Sequence, residues 1–356
     1  MTPWILILIV PLICEKLKNR VFHIGKQKFN YGYVFAFVAL FIFRAFRADT
    51  VGGDLASYKE AFDYLTELSI NNLMVFSASG YETGYALYNA ALHLISDNFR
   101  VELVCTAFVT TYCLLRFIYD NSRNPGLSLY IYITMYYYGS TFNNERQAIA
   151  IALLMLSIIY VRRRQLWKFV ITVVAATLFH TTSIAFLVVY PVFAMPLDRK
   201  YWNLALFGAI ATFIFSKSIL GYLIGGLYAA KYDGVDLMPG GGYMYFMILF
   251  VLIMTSFIFM SKEQKQETTR RLWIHMLVIG AIMQILSFEM GYFYRAVILF
   301  SVSMIFYIPD VLSCMRNRGL AQFGKIVVIV LLGAYYIYEL AHDSIEIVPY
   351  KSILFD

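Results

Sequence analysis

Apolar runs follow one another along almost the whole chain; two of the longest, Tyr243–Met260 and Ile326–Tyr338, contain no charged residue. This pattern limits the possible folds more than any other feature of the sequence. In lipid every backbone N–H and C=O must be bonded within the spanning structure, so only helices and closed barrels cross a membrane. A barrel would show alternating segments of about ten residues, whereas these runs are continuous. Composition agrees: 60% of the 356 residues are hydrophobic and 14% charged, against about 45–50% and 25% in soluble domains. A single soluble core cannot absorb that excess, because burial saturates as a domain grows. The expected fold is all-α, a polytopic transmembrane helical bundle forming one integral membrane domain over residues 1–356.

Spans need about 20 apolar residues, and ten are placed at 3–17, 31–47, 101–119, 126–142, 145–161, 201–217, 243–260, 272–289, 293–311 and 325–341. The run Leu166–Pro196 is 31 residues long. One helix of that length would measure about 46 Å, too long for a hydrocarbon core of about 30 Å. Basic residues prefer cytoplasmic loops, and here they decide how the run is threaded. Lys16 to Lys28, Arg116 and Arg123, Arg162 to Lys168, Arg199 and Lys200, Lys262 to Arg271, and Arg316 to Lys325 alternate correctly only if Leu166–Pro196 leaves and re-enters the same side, as a hairpin of two short helices with its tip near His180. That threading gives about 12 membrane segments with both termini outside. It puts 20 of the 29 Lys and Arg residues on the cytoplasmic side but only 6 of the 22 Asp and Glu residues.

Two outer loops follow from the threading, 48–100 and 229–242. In the first, Asp54–Leu68 is amphipathic, with Leu55, Tyr58, Phe62 and Leu65 on one face, and is expected to lie on the outer surface. The second ends in Gly240-Gly241-Gly242. Pro3–Cys14 has no basic residue before it and no small-residue cleavage site after it, so it reads as a retained first helix. Cys14, Cys105, Cys113 and Cys314 lie in or beside apolar runs without CxxC spacing and read as small core residues. There is no Walker motif and no GxGxxG ahead of a helix, which disfavours nucleotide-driven chemistry. The net charge of +7 serves topology rather than nucleic acid. His23, His93, His275 and His342 have no partner spacing, so the chemistry is expected to be metal-independent, with no cofactor.

Charged groups at membrane depth are costly and are functional candidates by default. Arg44 and Arg47 sit at the outward C-terminus of their helix, where the dipole favours a cation and the stem can snorkel; they are candidates for a cationic pocket. Arg146 sits at the outer N-terminus of a helix running inward, with Asn144 as N-cap and Gln147 placed as in a capping box. A cation there opposes the dipole, which makes sense if an anion is held; the alternative is an ion pair with Glu145 or another outer acid. Arg295 repeats that geometry, with Glu289 as its structural alternative. Two such arginines suit a pyrophosphate, because each offers planar bidentate donors. His180, at the hairpin tip beside Thr181, Thr182 and Ser183, can bind phosphate or take a proton. Asp54 follows two glycines and is a candidate general base for a sugar hydroxyl. The aromatic clusters Tyr136-Tyr137-Tyr138 and Tyr292-Phe293-Tyr294 fit an interfacial belt.

The same residues carry a family resemblance. Gly53-Asp54 with Tyr58, Glu82-Thr83-Gly84-Tyr85, Asn143 through Gln147 with Ala148 and Ala150, Phe179–Ser183, the Arg295 region and Val348–Lys351 together resemble the EpsG-like branch of the Wzy-type exopolysaccharide and O-antigen polymerases. The resemblance implies a GT-C-like bundle in the bacterial cytoplasmic membrane. Its substrate would be a polyprenyl-pyrophosphate-linked oligosaccharide on the outer leaflet, transferred to the sugar end of another repeat unit with release of polyprenyl pyrophosphate. In that picture Arg146 and Arg295, with Arg47 and Arg44, hold the pyrophosphate, and Asp54 or His180 takes the acceptor proton. Tyr58, Glu82, Tyr85 and Glu289 face the glycan. Membrane lipid, a chain-length regulator and a flippase of the same pathway are the implied partners, with no nucleic acid. An O-antigen ligase shares the donor and differs in acceptor. A lipid-linked glycan flippase would need a charged cavity reachable from both sides, and here the notable charges cluster on one.

Overall fold

The computed structural model describes residues 1–24, 27–65, 80–227 and 242–354. Lys26, the end of the amphipathic stretch at 66–68 and the loop 229–241 lie outside the described residues. The chain is a helical bundle in which, among the described residues, four helices are long and apolar enough to cross a membrane: Arg100–Asn121, Arg199–Leu223, Thr268–Glu289 and Arg318–His342. A fifth candidate is the bent pair Gly291–Ser301 and Met304–Cys314, which turns by 47° at its break. By length and composition four or five of the expected segments qualify among the described residues, and several of the others are short or broken. The segment expected at 3–17 is two helices, Thr2–Leu6 and Ile9–Leu17; that at 126–142 is Pro125–Thr134 and Tyr137–Ser140, divided where Tyr136 takes the left-handed conformation at φ 64°. A two-stranded antiparallel ribbon, Val21–Ile24 with Gln27–Asn30, fills the first loop, where no strand was expected.

The apolar surfaces follow the two environments. Thr268–Glu289 is buried over most of its length, whereas Arg318–His342 is almost wholly exposed and shows Phe323, Val330, Leu331 and Ile337 to the surroundings. An exposed apolar face of that extent belongs in lipid.

Leu166–Pro196 reverses direction. Helix Leu166–Thr177 ends at Leu178–His180, and the chain returns as a 3₁₀ segment, Thr181–Val188, continued by helix Val189–Ala194. Its two ends meet, with the Arg164 guanidinium 4.6 Å from the Phe193 ring centroid. Other basic loops gather at that end: Arg271 lies over the same ring at 5.1 Å, and a shared cleft joins Arg123, Arg162 and Glu267. There Arg270 makes a bidentate pair with Asp310 at 2.7 and 3.0 Å.

The opposite end is closed by the segment after Arg318–His342. Asp343 turns the chain with φ 43° and accepts from the Ile347 and Val348 amides. The chain then crosses the helix ends as a strap: the Trp4 indole donates to the Ile347 carbonyl at 3.0 Å, the Tyr350 hydroxyl to the Phe43 carbonyl at 2.8 Å, and the Ala48 amide to the Lys351 carbonyl at 3.0 Å. Helix Leu55–Tyr64 also lies at this end. Its expected apolar face, Leu55, Tyr58, Phe62 and Leu65, is buried, against a second short helix, Thr83–His93, rather than on an open surface.

The hairpin can be checked by labelling. In a cysteine-free background, Arg163→Cys and Arg199→Cys should react with an impermeant maleimide from the same side of the membrane, and Lys351→Cys from the other. Labelling of positions 163 and 199 from opposite sides would turn the hairpin into a single crossing.

Candidate functional site

The site is built on the first turn of helix Glu145–Arg162. Glu145 is 1% exposed and is held by two arginines at and just beyond the end of helix Tyr31–Ala45: Arg44 donates to Oε2, and Arg47 to Oε1 at 2.6 Å. Arg44 also reaches the Thr110 hydroxyl, and Arg47 the Phe142 carbonyl at 3.2 Å. Both arginines are buried, so the snorkelling expected of them gives way to a closed ionic cluster. Ions this deep are stable only with matched partners and geometry, and the cluster fixes where the helix begins.

The next residue faces the other way. Arg146 Nη1 is paired with Glu82 Oε2 and donates to the Gly80 carbonyl at 3.3 Å. Its guanidinium lies 4.6 Å from the Tyr81 ring centroid and 5.8 Å from that of Tyr58, an arrangement that stabilises a cation. Its Nε is buried with no hydrogen-bond partner among the described residues. Of the structural alternatives for Arg146, the ion pair with a more distant outer acid is the one observed. Burial pushes the Tyr58 hydroxyl up to about 12 against the lowering pull of Arg146, so it stays protonated at neutral pH.

Glu82 joins three segments. Its Oε1 accepts from the Thr181 amide at 3.2 Å and the Thr181 hydroxyl at 3.0 Å, and lies 3.9 Å from His180 Nδ1. The backbones are locked as well, the Gly84 amide donating to the Leu178 carbonyl at 2.9 Å. Gly84 is required by that approach: a Cβ there would lie 2.6 Å from the Leu178 oxygen. Tyr85 is fully buried, and its hydroxyl donates to Glu102 at 3.3 Å.

Asp54 is brought to the same rim. Gly52 has φ 118°, and a Cβ would stand 2.6 Å from the Phe142 oxygen. The Gly52 amide donates to the Glu346 carbonyl at 2.9 Å and the Asp54 amide to Asn143 Oδ1 at 2.6 Å. Only the Asp54 backbone is tied down; its half-buried carboxylate accepts no hydrogen bond among the described residues.

Arg295 opens helix Tyr294–Ser301. The capping box expected at Asn144 and Gln147 does not form. The Asn144 side chain makes no cap bond, and Gln147, 3% exposed, donates to the Arg295 carbonyl at 2.7 Å. This ties the start of the second arginine's helix to the residue beside Arg146, a link to which no sequence signal pointed. The Arg295 guanidinium forms no ion pair among the described residues and sits 5.7 Å from the Tyr292 ring centroid. Glu289, the alternative partner, instead accepts from Ser216 at 3.2 Å.

The segments that meet here are those that carried the resemblance, and a family model confirms it. The EpsG family model matches residues 30–352. The chain belongs to the EpsG family. Membership makes it a polysaccharide polymerase-like membrane protein of general glycosyltransferase-like activity. Neither the curated proteins nor the solved structures include a match to it.

The ionic cluster and the rim should separate experimentally. Glu145→Ala leaves two buried guanidinium groups without their carboxylate, a change that costs about 3–5 kcal/mol, and should sharply lower the melting temperature in detergent. Arg146→Lys, at the rim, should leave that temperature nearly unchanged.

Proposed function

We propose that this EpsG-family protein is a polymerase that joins polyprenyl-pyrophosphate-linked oligosaccharide repeat units on the outer face of the bacterial cytoplasmic membrane. The observation that carries this reading is the convergence of Arg146, Glu82, His180, Thr181 and Asp54 at one end of the bundle, with Arg295 tethered beside them through Gln147. In this reading that end faces outward, both termini are extracytoplasmic, and the shorter apolar helices complete a GT-C-like bundle of about twelve membrane segments.

The reaction is a substitution at the anomeric carbon of the donor. An acceptor hydroxyl forms the new glycosidic bond, the bond to the pyrophosphate oxygen breaks, and the electron pair leaves with polyprenyl pyrophosphate. Arg146 and Arg295 stabilise the charge that develops on that leaving group. Asp54 takes the hydroxyl proton: its carboxylate has no ion pair among the described residues, so its lone pairs are available. His180, buried against Glu82, belongs to the phosphate side. The concentration of these groups at one end supports a transferase over a flippase, whose site opens to both sides.

Lysine keeps the charge of arginine but loses its planar fork. Arg146→Lys and Arg295→Lys should therefore each abolish or severely reduce long-chain polymer at normal protein levels, the loss of a charge-stabilising donor being worth roughly 3–4 kcal/mol. Arg44→Lys should show its effect in protein yield rather than in chain length per molecule. Full-length polymer from both rim variants would remove the clamp.

Asp54→Asn retains the backbone bond to Asn143 and removes the base. It should lower the polymerisation rate by about 10²–10⁴-fold, measured as glycan ladder length against time. An unchanged ladder would leave the hydroxyl activated by position alone.

A further inference from the structure

The Glu82 carboxylate sits among donors from three segments. Arg146 Nη1 approaches one oxygen; the Thr181 amide and hydroxyl approach the other at 3.2 and 3.0 Å, with His180 Nδ1 at 3.9 Å. Each of these groups would serve a phosphate oxygen equally well, because carboxylate and phosphate take the same charge-assisted bonds. The Thr181 amide belongs to the first turn of the 3₁₀ segment and so has no partner within that turn. The tyrosine rings of residues 58 and 81 close the side of the pocket next to Arg146.

The carboxylate can also leave without dismantling what surrounds it. Glu82 occupies the N-cap position of helix Thr83–His93, yet its side chain makes no cap bond. The backbone there is held independently, by the Gly84 amide on the Leu178 carbonyl. Rotating the Glu82 side chain therefore vacates the pocket while leaving both the helix start and the hairpin tip in place.

We propose that this pocket is the seat of one phosphate of the donor, that the Thr181 amide and hydroxyl are phosphate ligands, and that Glu82 is a resident anion displaced when the donor binds. The proposal deepens the pyrophosphate reading above and rests on it. Glu82 is thus a positioning residue. Before the donor arrives it keeps Arg146 aimed and its charge compensated. After the glycan has been transferred, its return competes with polyprenyl pyrophosphate for the seat and promotes release. A ligand that must compete with an occupant binds more weakly by the fraction of time the site is vacant. If Glu82 fills the seat 90–99% of the time, removing its charge tightens binding by about 10- to 100-fold.

The test is equilibrium binding of radiolabelled inorganic pyrophosphate to the full-length protein in nanodiscs. Glu82→Gln keeps the shape and the acceptor for Thr181 but not the charge. It should bind pyrophosphate at least about tenfold more tightly than wild type, while its polymer output falls and becomes more sensitive to added pyrophosphate. Thr181→Val should bind several-fold more weakly. Arg146→Ala should lose binding; if it does not, the pyrophosphate clamp itself fails. If Arg146→Ala loses binding but Glu82→Gln binds no more tightly than wild type, the resident-anion proposal alone is overturned. Should Glu82→Gln not fold, Thr181→Val decides, and unchanged affinity in that variant overturns the seat.

Discussion

Two arginines and one glutamate in the interior, Arg44, Arg47 and Glu145, set the frame for everything at the rim that Arg146 and Asp54 share. Removing such ions from water costs several kcal/mol each, and only close, multiply bonded geometry offsets it. The arrangement therefore tolerates little drift. It joins helix Tyr31–Ala45 to the start of helix Glu145–Arg162 and, through Thr110, to helix Arg100–Asn121. Because Glu145 is pinned inward, the helical rotation of about 100° per residue turns Arg146 toward Glu82 and the tyrosines. Gln147 then reaches the Arg295 backbone. Three consecutive side chains thus point to three different neighbours, and the one at the centre of the proposed chemistry is aimed by the one that is locked.

The broken hairpin makes a second contribution. A helix interrupted within an apolar environment leaves amides and carbonyls that need partners. Here the Leu178 carbonyl is bonded by Gly84 and the Thr181 amide by Glu82. The groups freed by the break are the ones that build the pocket, so the length that prevents Leu166–Pro196 from crossing once also supplies donors at its tip.

Much of this was readable from the residues. The alternation of basic loops required the hairpin, and the spacing of Leu55, Tyr58, Phe62 and Leu65 marked a face that is indeed buried. A cation in a first helical turn singled out Arg146, and its partner here is Glu82, the ion pair that stood as the alternative to a bound anion. Three of the misses share a cause, a partner far along the chain. Glu145 lies beside Arg146 in sequence but pairs with residues 98 and 101 positions away. Gln147 sits where a capping box would put it, but its amide is taken by a carbonyl 148 residues on. Arg44 and Arg47 looked adequately explained by the helix dipole, a local effect, until a buried carboxylate outweighed it. Helix Thr83–His93 mixes small and aromatic residues too evenly for periodicity to reveal it.

The strap across the end that holds the rim has a bearing on how the protein is made. The loop that presents Asp54 is held by the carbonyls of Ile345 and Glu346, and Trp4 by that of Ile347, 343 residues away. A ribosome delivers those partners after the segments that carry Arg44, Arg47, Arg146 and Arg295. Until they emerge, the Gly52–Asp54 loop lacks the bonds that shape it, even though those arginines have already been made. Completion of the rim therefore waits for the strap, and a nascent chain released before it carries the cationic residues without the bonds that place Asp54.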